Sequence, residues 1–181
     1  MELRAEHAKL FGTTAGRLAR LLSEAFAPSA QYPYPLLVAL SKRDGVDYVA
    51  FFDGEVFCGF TYLITRGDIT YVLYLAVAGD QRSKGSGSAI LDAVKSRHPG
   101  NVIVLDIESP SQPATNAEQR LKRRAFYFRN GFHELGLRMP EGEIDYDLLA
   151  CGRDVSVDEV SDLLQWFSLG VHRPQLTKVS A

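Results

Sequence analysis

The sequence has few of the residues that mark secreted, metal-binding or membrane proteins. Its two cysteines, Cys58 and Cys151, are too few for a disulfide framework, so a reducing compartment is expected. Its four histidines are scattered, without Cys or Asp neighbours at metal-ligand spacing, so we predict no metal. No apolar run approaches the ~18 residues of a membrane span, and the first residues lack the apolar core of a signal peptide. These absences predict a cytoplasmic protein that does not bind membranes.

An excess of charge of either sign is also missing. Twenty Lys and Arg residues oppose 22 Asp and Glu residues, for a formal net charge of −2. This balance argues against nucleic acid or an anionic membrane as the main partner. The chain has neither the Gly-x-Ser-x-Gly elbow of serine hydrolases nor a P-loop. Its length of 181 residues predicts one domain, spanning residues 1–181, with a substantial hydrophobic core.

The most informative stretch is a glycine-bearing loop that follows an apolar, strand-like run over residues 71–77 and opens a helical pattern. Gly85 and Gly87 permit unusual backbone angles and a close approach to a ligand. The N–H groups at the start of a helix, together with its macrodipole, attract anions. Arg82 and Lys84 add two cations. The loop therefore predicts a pyrophosphate site.

Two motifs carry a resemblance to a known family. A dinucleotide fingerprint does not fit the loop, because its third glycine is replaced by Ile90. The remaining Arg-x-x-Gly-x-Gly pattern, residues 82–87, resembles the coenzyme A pyrophosphate loop of the GNAT superfamily of N-acetyltransferases. The second motif, Tyr127-Phe-Arg-Asn-Gly-Phe132, is similar to that superfamily's Tyr-x-x-x-Gly-Phe signature and ends a helix at Asn130-Gly131. The resemblance covers roughly residues 1–150.

The resemblance implies an α/β (mixed α+β) fold. We expect a central mixed and mostly antiparallel sheet of about six to seven strands, with a splay between the fourth and fifth and flanking helices. The apolar run over residues 102–105 fits a strand buried on both faces. Ser156 and Glu159 form a capping-box pattern that opens a helix over about residues 156–170, packed on the domain or on another subunit. Residues 173–181 are expected to be a loose tail.

The resemblance also implies how the cosubstrate acetyl-CoA would bind. Pantetheine would run along the strand that ends near Val77, and backbone groups would bond its amides and polarise the thioester carbonyl. The pyrophosphate would accept hydrogen bonds from the N–H groups of residues 83–88. The predicted coenzyme-binding residues are Leu75, Ala76, Val77, Arg82, Ser83, Lys84, Gly85, Ser86, Gly87 and Ser88.

Tyr127 is the predicted general acid, because the matching tyrosine of the superfamily points at the coenzyme sulfur and a phenol is protonated at neutral pH. For the base, Glu108 lies just past the buried strand, where ligands bind in open α/β folds. Asp106 projects to the same side, and water is a further alternative. Arg120 stands where many members have an asparagine that contacts pantetheine. Asn116, on the same helix face, either substitutes for it or caps the helix.

These motifs predict an acyltransferase that moves an acetyl group from acetyl-CoA to a primary amine by direct transfer in a ternary complex. The alternatives are a non-catalytic acyl-CoA-binding sensor or scaffold module, and a loop that binds a different nucleotide. The acceptor is left open among a polyamine, an aminoglycoside, an amino acid and a protein N-terminus. Tyr32, Tyr34, Tyr71 and Tyr74 either line its pocket or belong to the core. The protein is expected to be a monomer or a homodimer.

Overall fold

The computed structural model describes residues 1–179. Its internal contacts divide the chain into two compact units. Unit 1 comprises Met1–Ile64 and Val72–Pro99, and unit 2 comprises Thr65–Tyr71 and Gly100–Ala181. The single domain that we expected from chain length stays a prediction.

Unit 1 is built from antiparallel strands and three helices. Strand β1 pairs with β2, and β2 pairs with β3. Strand β4 lies beside β3 in the sheet. The strands are β1 (Arg4–His7), β2 (Val46–Asp53), β3 (Val56–Arg66) and β4 (Ile69–Val77). The end of β3, the start of β4 and the turn that joins them belong to unit 2. The helices are α1 (Thr13–Ala25), α2 (Tyr34–Leu40) and α3 (Ser86–Arg97), with short 3-10 turns at Pro28–Ala30 and Gly79–Gln81.

The strands of unit 1 bury both of their faces. On one face, Val49 and Phe51 of β2 form a cluster with Ile90 of α3. Successive strand residues point to opposite faces, so Tyr48 lies on the other face, where its ring meets the rings of Phe60 and Tyr62 at 5.4 and 5.2 Å. Helix α1 is amphipathic, because its buried leucines recur at helical spacing.

Unit 2 contains the remaining strands and two helices. These are β5 (Val102–Glu108), β6 (His133–Glu141), β7 (Ile144–Cys151) and β8 (Thr177–Lys178), with α4 (Ala117–Arg129) and α5 (Val157–Phe167). The strands follow the order β5-β7-β6-β8, and all three neighbouring pairs are antiparallel. Burial of all four residues from Val102 to Leu105 confirms the prediction of a strand covered on both faces.

The first three residues of β4 pair with β5 in parallel, from Ile69 opposite Val102 to Tyr71 opposite Val104. The predicted mixed, mostly antiparallel α/β fold is therefore confirmed. The paired stretch ends at Tyr71, and the splay of the fourth strand from the fifth stays a prediction. The strands number eight among the described residues, against the six to seven expected.

The end of the chain differs from the expected loose tail. Thr177 and Lys178 pair with β6 at Arg138 and Leu137, so at least these residues are tied to the sheet. The last two residues of the expected tail, 180 and 181, lie outside the described part of the chain. The apolar side of helix α5 is buried, through Val160, Leu163, Leu164 and Phe167. None of the helices in the described part of the chain is long and apolar enough to cross a membrane.

Candidate functional site

The predicted phosphate loop leads directly into the N-terminus of a helix. Helix α3 begins at Ser86, and its N-cap residue Gly85 has a left-handed φ of 87°. Ser83 also has a positive φ, 62°, which is uncommon for a residue with a side chain. The N–H of Ala89 donates to the carbonyl of Gly85 at 3.0 Å. Because the first N–H groups of a helix have no partner within it, those of residues 86–88 are directed out of the helix end.

The side chains around this loop sort into exposed and buried ones. Arg82, Ser83 and Lys84 are exposed, so both cations are available to an anionic ligand. The guanidinium of Arg82 also donates from Nε to the carbonyl of Val77 at 3.4 Å. Ser86 is buried, and its hydroxyl lies 4.0 Å from the sulfur of Met1.

The predicted pantetheine-binding segment of β4 is fixed by its neighbours in unit 1. Leu75 and Val77 pack against the cluster around Ile90. Gly59 of β3 faces Ala76 so closely that a Cβ added to this glycine would lie 2.2 Å from the Ala76 carbonyl oxygen. Only glycine fits there. Sequence reasoning missed this residue, although a glycine within a strand is a signal for close backbone approach.

Tyr127 is held in an aromatic cluster of unit 2. Its side chain is buried, and its ring meets those of Phe126 and Phe132 edge-on at centroid distances of 5.1 and 5.5 Å. The helix ends at Asn130, and Gly131 takes a φ of 85°, which confirms the predicted C-terminal pair. Burial raises the pKa of Tyr127 to about 12. The phenol is therefore protonated at neutral pH, as a proton donor must be.

Glu108 belongs to an ion-pair cluster between β5 and α4. Its carboxylate accepts hydrogen bonds from Arg120 at 3.3 Å, Arg123 at 3.0 Å and Asn116 at 3.2 Å. Arg120 is 6 % exposed. It also donates to the Ser109 carbonyl and to the Asn116 side chain, at 3.0 and 2.8 Å. Asn116 is the N-cap residue of α4 by position, but its side chain bonds Glu108 and Arg120 and makes no capping hydrogen bond.

Asp106 lies two residues earlier on the same face of β5 and has different surroundings. The Tyr71 hydroxyl donates a hydrogen bond to its carboxylate. Burial raises the pKa of Asp106 to about 6. Burial, and then the Asp106 charge, raise the pKa of Tyr71 well above its usual value, so this phenol stays neutral. The sequence had left Tyr71 open as a pocket or core residue, and its bond to Asp106 was not anticipated.

The other tyrosines that had been left open anchor the segment between α1 and α2. The Tyr74 hydroxyl donates to the carbonyl of Ala30 at 2.8 Å and accepts from the N–H of Tyr32 at 3.2 Å. The Tyr34 hydroxyl donates to the Lys9 carbonyl at 2.6 Å. These bonds fix the connection from α1 to α2 in unit 1.

The predicted site residues thus form two groups. The coenzyme-binding candidates lie together in unit 1, at the end of β4 and the start of α3. Tyr127, Glu108 and Asp106 belong to unit 2, on α4 and β5. Across residues 1–179, no group of three or more His, Cys, Asp or Glu side chains is placed to hold a metal ion.

Comparison with known proteins connects this geometry to a family. The family profile described as "Acetyltransferase (GNAT) domain" matches residues 44–134, half of the chain, and that range includes both motifs. No curated protein sequence matches the chain significantly.

Solved structures share the fold at low sequence identity. A GNAT-family protein from Bacteroides thetaiotaomicron superposes with a TM-score of 0.70 and 22 % identity, over 93 % of this chain and 99 % of that one. The aminoglycoside 6'-N-acetyltransferase of Enterococcus faecium superposes with a TM-score of 0.63 and 16 % identity, over 83 % of this chain and 96 % of that one. A Bacillus subtilis acetyltransferase in complex with CoA superposes with a TM-score of 0.55 and 16 % identity, over 86 % of this chain and 100 % of that one.

Proposed function

Because the chain belongs to the GNAT acetyltransferase family, we propose that this acyltransferase moves an acetyl group from acetyl-CoA to a primary amine of a small molecule or peptide. The transfer is direct, within a ternary complex of protein, acetyl-CoA and acceptor. The observation that carries the proposal is the start of α3, where a left-handed Gly85 leaves outward N–H groups beside two exposed cations. A similar protein from Bacillus subtilis was solved with CoA, which supports the same ligand here.

In this proposal the coenzyme is bound mainly by backbone groups of unit 1. The N–H groups of residues 86–88 take the pyrophosphate, and the positive end of the α3 macrodipole adds to the attraction. Arg82 and Lys84 neutralise its charge. The backbone of residues 75–77 bonds the pantetheine amides, and an N–H near Ala76 polarises the thioester carbonyl. Gly59 fits this role, because it allows β3 to approach the backbone at Ala76.

Tyr127 is proposed as the proton donor to the departing thiolate. Its raised pKa keeps the phenol protonated across the neutral range, and a positioned acid typically contributes about 10²–10⁴ in rate. Its burial among Phe126 and Phe132 holds the ring in one orientation. Glu108 remains the sequence-based candidate for the base, with Glu108→Gln as its test. A large loss of turnover with coenzyme binding kept is the result that role requires.

The proposal is tested first by thermal unfolding with acetyl-CoA, using ATP and NAD as controls. A ligand at 100 times its Kd stabilises the folded state by about 2.7 kcal/mol, which raises the Tm of a protein of this size by roughly 5–11 °C. A shift with acetyl-CoA alone supports the coenzyme site. A shift with ATP or NAD instead indicates another nucleotide, and no shift at millimolar acetyl-CoA contradicts the proposal.

The second test is CoA thiol release from acetyl-CoA with a panel of primary amines. Release that depends on an amine supports the transferase. Binding of acetyl-CoA without release in the presence of any amine favours a non-catalytic acyl-CoA sensor or scaffold. The cytoplasmic location and a monomeric or homodimeric state stay predictions from the sequence.

A further inference from the structure

The two carboxylates on β5 differ in whether they are free to take a proton. We propose that Asp106 accepts the proton that the acceptor ammonium loses before attack, while Tyr71 orients it and Glu108 only positions β5 against α4. This inference rests on the acetyltransferase function proposed above. It reverses the sequence-based preference, in which Glu108 was the first candidate for the base.

The carboxylate of Glu108 is engaged by side chains of α4. Its two oxygens receive hydrogen bonds from two guanidinium groups and one amide, at 3.0 to 3.3 Å. Each of the two oxygens is therefore already bonded to a donor. Protonation would leave the guanidinium of Arg120, which is 6 % exposed, without its counter-ion. A buried charge left without its partner is strongly unfavourable.

Asp106 has no guanidinium bonded to it. Its side-chain partner is the neutral hydroxyl of Tyr71, which donates one hydrogen bond to one carboxylate oxygen. The residue is half-buried, so its carboxylate is neither sealed in the core nor freely solvated. The backbone N–H of Asp106 itself also bonds the carboxylate. A carboxylate has two oxygens with about four lone-pair sites, so these two donors leave capacity for an ammonium proton.

The surroundings of Asp106 raise its basicity. Burial raises its pKa to about 6, so at pH 7 it is mostly ionised yet a stronger base than an ordinary aspartate. The Tyr71 hydrogen bond and the charge of Arg123 act in the opposite direction, and the charge of Glu141 acts with burial. The titratable or charged groups that face it are Tyr71 of β4, Arg123 and Tyr127 of α4, Glu141 of β6 and Tyr146 of β7.

The proton balance of the reaction closes with these residues. One N–H bond of the acceptor ammonium breaks, and its proton passes to Asp106, which becomes a neutral acid. The neutral amine forms a C–N bond to the thioester carbon, and the C–S bond breaks with its electron pair on sulfur. Tyr127 gives its proton to the sulfur and regains one from the new amide nitrogen. Asp106 then releases its proton to water.

The decisive experiment compares two acceptors that differ in their need for a base. n-Butylamine is a cation at pH 7.5, whereas methoxyamine is already neutral and has no proton to lose before attack. We expect Asp106→Asn to lower kcat/KM for n-butylamine by about 10²–10⁴ and to affect methoxyamine far less. Glu108→Gln is the matched control, because it removes the other carboxylate from the same face of β5, and it should leave the ratio of the two acceptors unchanged. Tyr127→Phe should lower kcat/KM for both acceptors alike, since protonation of the departing thiolate is common to both reactions.

The pH profile of the unaltered enzyme provides a second test that does not depend on the folding of a variant. If Asp106 takes the proton from a bound ammonium, kcat/KM for n-butylamine rises with pH and levels off above about pH 6. Without an enzymic base, only neutral amine reacts, and kcat/KM climbs about tenfold per pH unit toward the pKa of the amine. Tyr71→Phe removes a hydrogen bond that favours the carboxylate, so it should move the acidic limb to higher pH.

The possible failures are distinguishable. If the unaltered enzyme releases thiol with none of the amines, the proposed function fails, and this inference falls with it. If it is active but Asp106→Asn affects both acceptors equally or neither, only the inference is overturned. A selective loss of n-butylamine activity in Glu108→Gln would return the role of base to Glu108. The acetyl-CoA-induced rise in Tm, measured for each variant, shows that the variant is folded and binds coenzyme.

Discussion

The start of α3 and the junction of β5 with α4 both carry proposed functional groups, but they are built in different ways. At α3 the groups are backbone N–H donors, and a short local pattern that includes Gly85 determines their direction. At β5 and α4 the groups are side chains whose neighbours come from distant parts of the sequence. Glu108 is bonded to Arg120 and Arg123, and Asp106 to Tyr71. A local motif therefore reveals the first region, whereas the contacts of the second are revealed only by the folded chain.

The difference has a consequence for function. A site made of backbone donors tolerates many side-chain changes, because any residue but proline supplies an N–H. A cluster of side chains depends on each member, since the loss of one leaves a buried charge or acceptor without its partner. Substitutions at α3 should mainly alter coenzyme affinity, and those at β5 and α4 should alter turnover or stability.

The largest effect that would test this separation is expected for Tyr127→Phe. Removing the phenolic proton donor should lower thiol release with n-butylamine by about 10²–10⁴. The rise in Tm with acetyl-CoA should persist, because the proposed phosphate contacts are made by α3. Loss of both turnover and the acetyl-CoA shift would show that the two regions are not independent. Phe126→Leu, a change in the neighbouring ring of the aromatic cluster, is the control for packing alone.

A second test uses the buried arginine of the cluster. Arg120→Ala removes a donor from Glu108, Ser109 and Asn116 at once. Breaking a buried ion pair typically costs about 3–5 kcal/mol, which lowers the Tm of a protein of this size by roughly 6–20 °C. Differential scanning calorimetry measures the change.

Lys122→Ala is the matched control for Arg120→Ala, because Lys122 also lies on α4 but makes an exposed ion pair with Glu118. Exposed pairs contribute about 0–1 kcal/mol, so its Tm should barely move. Similar losses for the two variants would contradict the description of Arg120 as a buried structural residue.

The sequence revealed what local pattern or a known motif encodes. The apolar run from Val102 to Leu105 indicated a doubly buried strand, and Asn130-Gly131 indicated a helix end, since both depend on a few adjacent residues. The motif resemblance supplied the fold class. The strand β8 was missed because two polar residues, Thr177 and Lys178, have no periodicity to recognise.

The contacts of the Asp106 and Glu108 carboxylates could not be predicted from local sequence patterns. Tyr71 and Asp106 are 35 residues apart in sequence and meet because β4 and β5 pair in parallel near Tyr71. Glu108 looked like a free carboxylate at the end of a strand, and only the position of α4 brings Arg120 and Arg123 to it. The choice between Glu108 and Asp106 therefore needed the fold.

A smaller loss of stability is expected at Gly59 in unit 1, where β3 and β4 leave no room for a side chain. Gly59→Ala would place a Cβ 2.2 Å from the Ala76 carbonyl oxygen, so the backbone of β3 or β4 must shift. Overpacking of this kind typically costs about 1–3 kcal/mol. We also expect weaker acetyl-CoA binding, because Ala76 lies in the segment proposed to bond pantetheine.

Gly16→Ala in α1 is the control for Gly59→Ala, because a Cβ added there meets nothing within 4 Å. Replacing a helical glycine by alanine should stabilise unit 1 by up to about 1 kcal/mol. Chemical denaturation with and without acetyl-CoA measures both quantities. Unchanged stability and binding in Gly59→Ala would mean that β3 and β4 separate easily, and that the backbone at Ala76 is not fixed as tightly as the phosphate loop.

The smallest effect concerns the capping box of α5, a local motif that lies in unit 2. Ser156 accepts a hydrogen bond from the Glu159 N–H, and the Glu159 carboxylate accepts one from the Ser156 N–H, as the sequence predicted. These bonds, together with Arg153, lower the pKa of Glu159 to about 2. Ser156→Ala should cost about 1 kcal/mol.

The lowered pKa of Glu159 also sets a pH dependence. Its folded-state pKa lies below the ordinary value of 4.5, so its contribution is fully present above about pH 4.5 and is lost as the pH falls toward 2. The effect is modest, because the Glu159 side chain is 39 % exposed and solvent screens its ion pair. Glu159→Gln should flatten the acidic fall in Tm between pH 4.5 and 2 relative to the unaltered protein. An unchanged slope would show that other groups, rather than this local motif, dominate acid unfolding.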